Sequence, residues 1–375
     1  MLTIHIDPAG TVEGFQRILK QTISQKDVVG VLVFACDAND FKPETVNTIL
    51  KNVPIPIFGG VFPEIIHGRN KLIRGTIVVG LSTHPNVQII PHLSDPSIDY
   101  DEIISQKFPE SDQNKTMFVL VDGFSQRIST LIDSLFNYFG LEINYLGGGC
   151  GSLSFVQKPC LFTNEGLIAD SAILATVETA SGIGVSHGWY SVSGPFKVTE
   201  ADRNVILTLD WQPAFSIYRH VVEEAARCKF TDTNFFELAK SYPFGIKRLG
   251  GEMIVRDPIM VKENGAIVCV GEVPVESYVD ILTGDASSLV NAARKALTLS
   301  LDAYHGPADK KVIFLIDCIS RVLFLGKEFE KEIQAVYKED IPLIGALTLG
   351  EIANSGKEYL EFYNKTVVVG CIEAK

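Results

Sequence analysis

Apolar and polar stretches alternate along the chain in a pattern that occurs three times. VLVFACD (31–37), MFVLVDG (117–123) and VIFLIDC (312–318) are short apolar runs that end on Asp or Cys. Nearly continuous runs of this length read as strands covered on both faces. A helix-like stretch follows each one: PETVNTILKN (43–52), a segment within 127–140, and a segment within 327–340. A second apolar run then reaches glycine, as VPIPIFGG (53–60), LEINYLGGG (141–149) and DIPLIGA (340–346). A third run closes each copy: TIVVGL (76–81), AILATVE (172–178) and TVVVGCI (366–372). In the second copy Ile128, Leu131, Ile132, Leu135, Phe136 and Phe139 make one apolar helix face that stops at Gly140. Phe329, Ile333, Val336 and Tyr337 do the same in the third. The order predicts an α/β fold of mixed sheets, built from duplicated strand–helix–strand–strand units in two packed modules. The uneven spacing of the copies excludes a regular solenoid. The glycines are expected to form turns at the ends of buried strands, where pockets tend to sit.

The region between the second and third copies has a different rhythm. IGVSHGWYSVSG (183–194) reads as a strand, and FKVTEADRNVILTLDW (196–211) as a hairpin turning at Ala201–Asn204. Pro213 opens a helix through SIYRHVVEEAARC, and a second helix falls around 232–241. GEMIVRDPIMV, the turn Glu263–Asn264–Gly265 and AIVCVGEV form another hairpin. Asp285 caps a helix that runs through Leu299. A module boundary is placed between residues 205 and 206, as a packed joint, since no low-complexity linker occurs.

Length and composition narrow the function classes. The 375 residues are 46% hydrophobic and 21% charged, which is ordinary for a globular chain with real cores. A formal charge of -12 and the lack of basic runs argue against nucleic-acid partners and anionic lipid. The start MLTIHIDPAG lacks the features of a secretory signal, and no apolar run is long enough to span a bilayer, so a cytoplasmic location is expected. The seven cysteines are scattered without a C-x-x-C pair, so neither disulfides nor a zinc site of standard spacing is expected. Cys36, Cys269, Cys318 and Cys371 read as small packed hydrophobes.

Candidate chemistry is sparse, and no nucleophile elbow, Walker loop, H-E-x-x-H or EF-hand spacing occurs. The glycine turns at Gly59, Gly60, Gly148, Gly149 and Gly345 either serve tight backbone geometry or line a ligand pocket with N–H groups. Cys150 is either a packed thiol or, given a nearby base, a nucleophile for acyl transfer or hydrolysis. Glu64 and Glu351 follow glycine turns at related places, so they either flank a pocket or are loop acids. Arg256 and Arg321 follow strands into turns and either pair with local carboxylates or clamp an anionic ligand. Of the seven histidines, His187 has apolar neighbours in Val185 and Trp189, while His220 lies on a helix beside Tyr218 and Arg219. A histidine in such a place is either a packed residue or an axial metal ligand.

The fragments VFACD, IFGGVFPEI, LGGGCGS and VSHGWYSVSGPFKVTEADRN, in that order, resemble the N-terminal module of the FIST family. LDWQPAFSIYRH, YPFGI, GEMIVRDP, VPVESYVDILTGD, DCISR, IGALTLGEIAN and NKTVVV resemble its C-terminal module. The resemblance covers nearly the whole chain, as modules at 1–205 and 206–375. It implies a stand-alone sensor in signal transduction, binding a small molecule such as an amino acid, with no catalytic residues. For one subgroup it implies haem b, nitric-oxide sensing, and control of a histidine kinase or a cyclic-di-GMP enzyme. His187 would then be the axial ligand, with His220 next. Ubiquitin-ligase adaptors that carry these modules give a third reading, an interaction scaffold.

Overall fold

The computed structural model describes residues 3–109, 116–248, 252–354 and 359–374. The three copies are there, and each is longer than its sequence pattern suggests. The first runs through strand Thr3–Asp7, helix Val12–Ile23, strand Gly30–Cys36, helix Pro43–Lys51, strand Ile57–Phe62, a hairpin of Glu64–His67 and Asn70–Leu72, and strand Thr76–Leu81. The second repeats the order from strand Asn86–Pro91 to strand Ser171–Val177, with helices Tyr100–Lys107 and Ile128–Phe139. The third begins at strand Ser181–Ser186, resumes at helix Ala286–Ala303 and ends at strand Val367–Glu373. Each opening strand pairs in parallel with the glycine-bearing strand and antiparallel with the closing strand.

The hairpins are exchanged between units. Glu64–His67 of the first unit pairs with Leu343–Thr348 of the third. Glu351–Ala353 of the third pairs with Asn144–Cys150 of the second. Leu161–Thr163 of the second pairs with Ile57–Phe62 of the first. Three six-stranded sheets of matching order result. Alternate residues of each opening strand point inwards: Leu32 and Phe34, Phe118 and Leu120, Phe314 and Ile316 share one core. There Phe314 meets Phe34 at 6.3 Å and Phe118 at 5.6 Å between ring centroids. The opposite faces carry the helices, with Leu131, Ile132 and Leu135 over the second sheet and Phe329, Ile333 and Val336 over the third. Each buried apolar side chain of this size contributes about 1.5–3 kcal/mol. The molecule is therefore a three-sided prism with its helices outside.

The glycines depart from the expected turns. Gly59, Gly60, Gly148, Gly149 and Gly345 lie inside strands Ile57–Phe62, Asn144–Cys150 and Leu343–Thr348. The register makes Gly59, Gly147 and Gly345 equivalent, opposite Val33, Val119 and Leu315. A Cβ on each would stand 2.1, 1.8 and 1.9 Å from the carbonyl oxygen of that partner. Close approach of two backbones, rather than turning, is what requires glycine here.

The different rhythm of residues 190–283 has a structural counterpart. Strands Tyr190–Asp202, Tyr278–Thr283, Phe244–Ile246, Ile254–Val261, Ile267–Val270 and Val205–Leu209 close into an antiparallel ring, with the first pairing to the last. Tyr218 of helix Ala214–Ala226 packs on Phe244 inside it at 5.1 Å. This barrel is inserted into the third unit, between its first strand and first helix. Positions 205 and 206 fall within strand Val205–Leu209, inside the ring. The fragment GEMIVRDP begins at Gly251, outside the described residues. No helix among the described residues is long and apolar enough to cross a membrane.

Two outcomes follow from the exchange. A fragment of residues 1–212 loses the hairpin that covers its second sheet, and its own Glu64–Leu72 hairpin has no sheet to join. It is expected to show no cooperative thermal transition alone, but to form a soluble complex when co-expressed with 213–375. Gly59→Ala is expected to destabilise the full chain by about 1–3 kcal/mol through forced backbone displacement, measured by urea unfolding.

Candidate functional site

The carboxyl ends of the second and third opening strands face the barrel across a cavity of about 450 Å³. Crevices outside the carboxyl ends of strands are where α/β folds usually hold ligands. Phe124, Ile128, Leu153 and Phe155 supply the wall from the second unit. Cys318, Ser320, Leu323 and Asn364 supply that from the third. The barrel adds Arg203, Asp257, Ile259, Cys269 and Glu272. Asp257 is placed by a register shift between Pro258 and Met260, and such irregularities re-aim neighbouring side chains.

Polar groups gather on one side of the cavity. Ser320 donates its hydroxyl hydrogen to Asp257 Oδ2, and Lys365 Nζ stands 3.3 Å from the same oxygen. Lys365 is fully buried, donates to the Lys240 carbonyl at 2.9 Å, and lies 5.3 Å from the Trp189 ring centroid. Asp257 Oδ1 and Asn364 Oδ1 are buried without a hydrogen-bond partner. Buried acceptors left in this state cost about 1–3 kcal/mol each.

Behind this wall are three of the residues singled out in the sequence. Glu351 accepts from the Thr348 hydroxyl at 2.9 Å and the Thr366 N–H at 3.3 Å. Burial pushes its carboxyl up to about 8, against hydrogen bonds from Thr348 and Cys318. Cys318, on the cavity wall, has its thiol pushed up by burial and by Glu351. Arg321 is fully buried, paired with Asp317 at 3.1 Å and with Glu332. It also donates to the carbonyls of His187, Leu289 and Lys365 at 2.6, 3.1 and 3.2 Å. Burial opposes its charge, and the two carboxylates outweigh that and raise it. Arg256 donates to the Glu272, Val255 and Phe362 carbonyls, at 2.8, 3.1 and 2.9 Å. It ties the barrel to the hairpin of the third unit. Both arginines thus direct these donors to main-chain oxygens and buried carboxylates.

The remaining candidates lie elsewhere. Cys150 is fully buried, beside Gly60, where an added Cβ would stand 2.3 Å from its sulfur. Burial raises its thiol, and Asp122 raises it further, the opposite of nucleophile activation. Glu64 pairs with Lys71. It stands one register position away from the Glu351 equivalent, since Leu347 pairs with Glu64 whereas Gly148 pairs with Glu351. The two carboxylates therefore point to opposite faces and flank no common pocket.

His187 is buried, and its Nδ1 accepts the Trp189 N–H at 2.9 Å. The proton of the neutral ring is then on Nε2, which lies 3.7 Å from a Glu252 oxygen. Burial lowers its pKa to about 4. Iron would need the nitrogen that carries this proton, and no histidine lines the 450 Å³ cavity. His220 has an 82% exposed side chain with no cover for a porphyrin face. Neither His187 nor His220, as placed, fits an axial haem ligand. Among the described residues no three His, Cys, Asp or Glu side chains gather as metal ligands.

Asp257, Ser320, Asn364 and Lys365 are not marked by residue type or spacing. They fall within the fragments VRDP, DCISR and NKTVVV, which lie far apart in the chain and meet here. A FIST N domain matches residues 30–212 and a FIST C domain matches residues 214–354. The chain belongs to the FIST family, whose domains are sensory modules of signal transduction. Among curated proteins nothing matches it. The junction of the two matched segments lies inside the barrel, so both contribute strands to that ring.

The raised carboxyl gives a pH signature. In the unfolded chain Glu351 ionises near its ordinary 4.5, whereas in the fold it holds its proton up to about 8. Between these values the unfolded state binds fewer protons, so stability falls as pH rises and levels off above about 8. The slope from this group is at most about 1.4 kcal/mol per pH unit. Denaturant unfolding at pH 5, 7 and 9 is expected to show a smaller decline in Glu351→Gln than in the wild type.

Proposed function

We propose that the protein is a cytoplasmic small-metabolite sensor without turnover, and that the cavity between prism and barrel is its ligand site. The observation that carries this reading is that the second unit, the third unit and the barrel each supply part of one cavity wall. A ligand there touches all three bodies at once. Its occupancy favours whichever barrel position suits it, and differential affinity of this kind is the only way a ligand shifts an equilibrium. A histidine kinase or a cyclic-di-GMP enzyme is the class of partner that family membership suggests as the reader of that shift.

Haem is left out of the reading because of the His187 and His220 geometry. Turnover is left out because the cavity thiols of Cys318 and Cys269 are buried and pushed up, and Cys150 is sealed in the sheet. Thermal unfolding of the full chain in the presence of metabolite pools tests the proposal. Leu323→Trp is the control, since Leu323 lies at the cavity lip and is 41% exposed, where a larger ring enters the cavity without overpacking a core. A ligand at a hundred times its Kd is expected to stabilise the wild type by about 2.7 kcal/mol and the variant by far less. Equal stabilisation of both proteins would place the ligand elsewhere.

A further inference from the structure

The charges behind the cavity wall do not balance. Asp317, Glu332 and Glu351 are fully buried, and so is Arg321, the guanidinium they share. Arg321 Nε lies 3.1 Å from Asp317 Oδ1 and donates to Glu332 Oε1 at 3.0 Å. Among the described residues no cation pairs with Glu351, whose oxygens accept from the Thr348 hydroxyl and the Thr366 N–H. Lys365 does not alter the count, because Asp257 stands 3.3 Å from its Nζ and matches its charge. Tyr218 and Cys269 act on Asp257 from the barrel, and Cys318 lies beside Glu351; burial keeps all three neutral. His187 is neutral as well, since burial lowers its pKa to about 4, and Glu252 and Lys295 beyond it pair with each other.

A buried carboxylate without a counter-charge takes up a proton instead of staying ionised. Three carboxyls around one guanidinium therefore hold two protons. Glu332 receives two of the Arg321 N–H groups, whereas neither oxygen of Asp317 has a hydrogen bond. One proton accordingly belongs to the Asp317–Glu332 pair, and the other to Glu351.

The contacts of Arg321 give the second proton a consequence. Arg321 donates to the His187 and Lys365 carbonyls at 2.6 and 3.2 Å, and the Lys365 carbonyl also accepts from Trp189 Nε1 at 3.0 Å. His187 and Trp189 are where the chain leaves the prism for the barrel, and Lys365 holds Asp257 of the barrel. A carboxylate formed at Glu351 is an unmatched charge that acts on Arg321 and competes with those carbonyls for it. We infer that the joint between prism and barrel is proton-linked: the proton on Glu351 leaves Arg321 on the His187 and Lys365 carbonyls, and its loss draws Arg321 away and loosens the barrel's attachment. The Glu351 carboxyl, pushed up to about 8, sets that change just above neutral pH. The inference concerns the joint itself and stands whether or not a ligand fills the cavity.

The chain has two tryptophans, so Trp211→Phe, at a 77% exposed position, leaves Trp189 as the reporter on the carbonyl that Arg321 also holds. Its emission is followed from pH 6 to 9.5 in the full-length variant. A change with a midpoint near 8 is expected, with the far-ultraviolet circular dichroism unaltered, and it is expected to vanish when Glu351→Gln is added. Gln keeps an acceptor for Thr348 and cannot ionise. Infrared difference spectra of the wild type supply a readout that does not depend on the folding of Glu351→Gln. The carbonyl band of protonated carboxyls is expected at pH 6 and is expected to weaken with the same midpoint. Four results would each overturn the inference: flat Trp189 emission over this range, a midpoint that persists with Glu351→Gln, emission that changes only as secondary structure is lost, or no protonated-carboxyl band at pH 6.

Discussion

Pairing of exposed sheet edges across unit boundaries is the constraint on which the rest of the structure depends. A glycine-bearing strand such as Asn144–Cys150 has one neighbour from its own unit, and its other edge offers a row of unpaired N–H and C=O groups. Edges of that kind invite aggregation unless covered. Here each is covered by the hairpin of another unit, in a closed cycle of three. Because the cycle closes, each unit completes its sheet with a hairpin from one neighbour and lends its own hairpin to the other. The close backbone approach at Gly59, Gly147 and Gly345 recurs at equivalent places in all three sheets, which is why glycine marks the repeats in the sequence.

The same arrangement creates the site. Closing the prism brings the carboxyl ends of opening strands from different units to one end of the molecule, and the inserted barrel lies over two of them. The buried charges sit where these bodies meet. Arg321 holds Asp317 and Glu332 within the third unit and reaches the His187 carbonyl at the chain's entry to the barrel. Lys365 joins the third unit to Asp257 of the barrel, and Arg256 of the barrel joins it to Phe362. Buried ion pairs add little net stability over apolar contacts, but removing one partner costs about 3–5 kcal/mol. Their evident effect is to allow few relative positions of barrel and prism.

Much of the fold was legible because strands buried on both faces leave long apolar runs, and the helices Ile128–Phe139 and Phe329–Val336 keep a clean apolar face. The exchanged hairpins were not. Glu64–His67 and Glu351–Ala353 are short, and their partners lie in another unit, so no local pattern announces the pairing. The glycines recur at the spacing of the units, but a sequence does not distinguish a turn from two backbones in contact, and it is contact that requires them here. Of the site, Arg321, Arg256 and Glu351 stood out by residue type and prove to support the wall from behind. Ser320, Asp257 and Asn364 stood out by nothing local, because their common feature is convergence from three distant fragments.

The position of the insertion bears on how a signal would leave the site. The barrel is joined to the prism by two chain crossings, one near His187–Trp189 and the other near Gly284–Asp285, and these lie close together: a Cβ on Gly284 would be 3.0 Å from the Trp189 ring. Away from these crossings the barrel is held to the prism by side-chain contacts. Those contacts include Lys365 and Ser320 with Asp257, Arg256 with Phe362, Arg248 with Glu361 and Lys295 with Glu252. On the proposed reading, a ligand in the cavity lies beside Asp257, which is one of the restraints that hold the barrel. On that reading the wall that meets the ligand is also among the contacts that set the barrel's position.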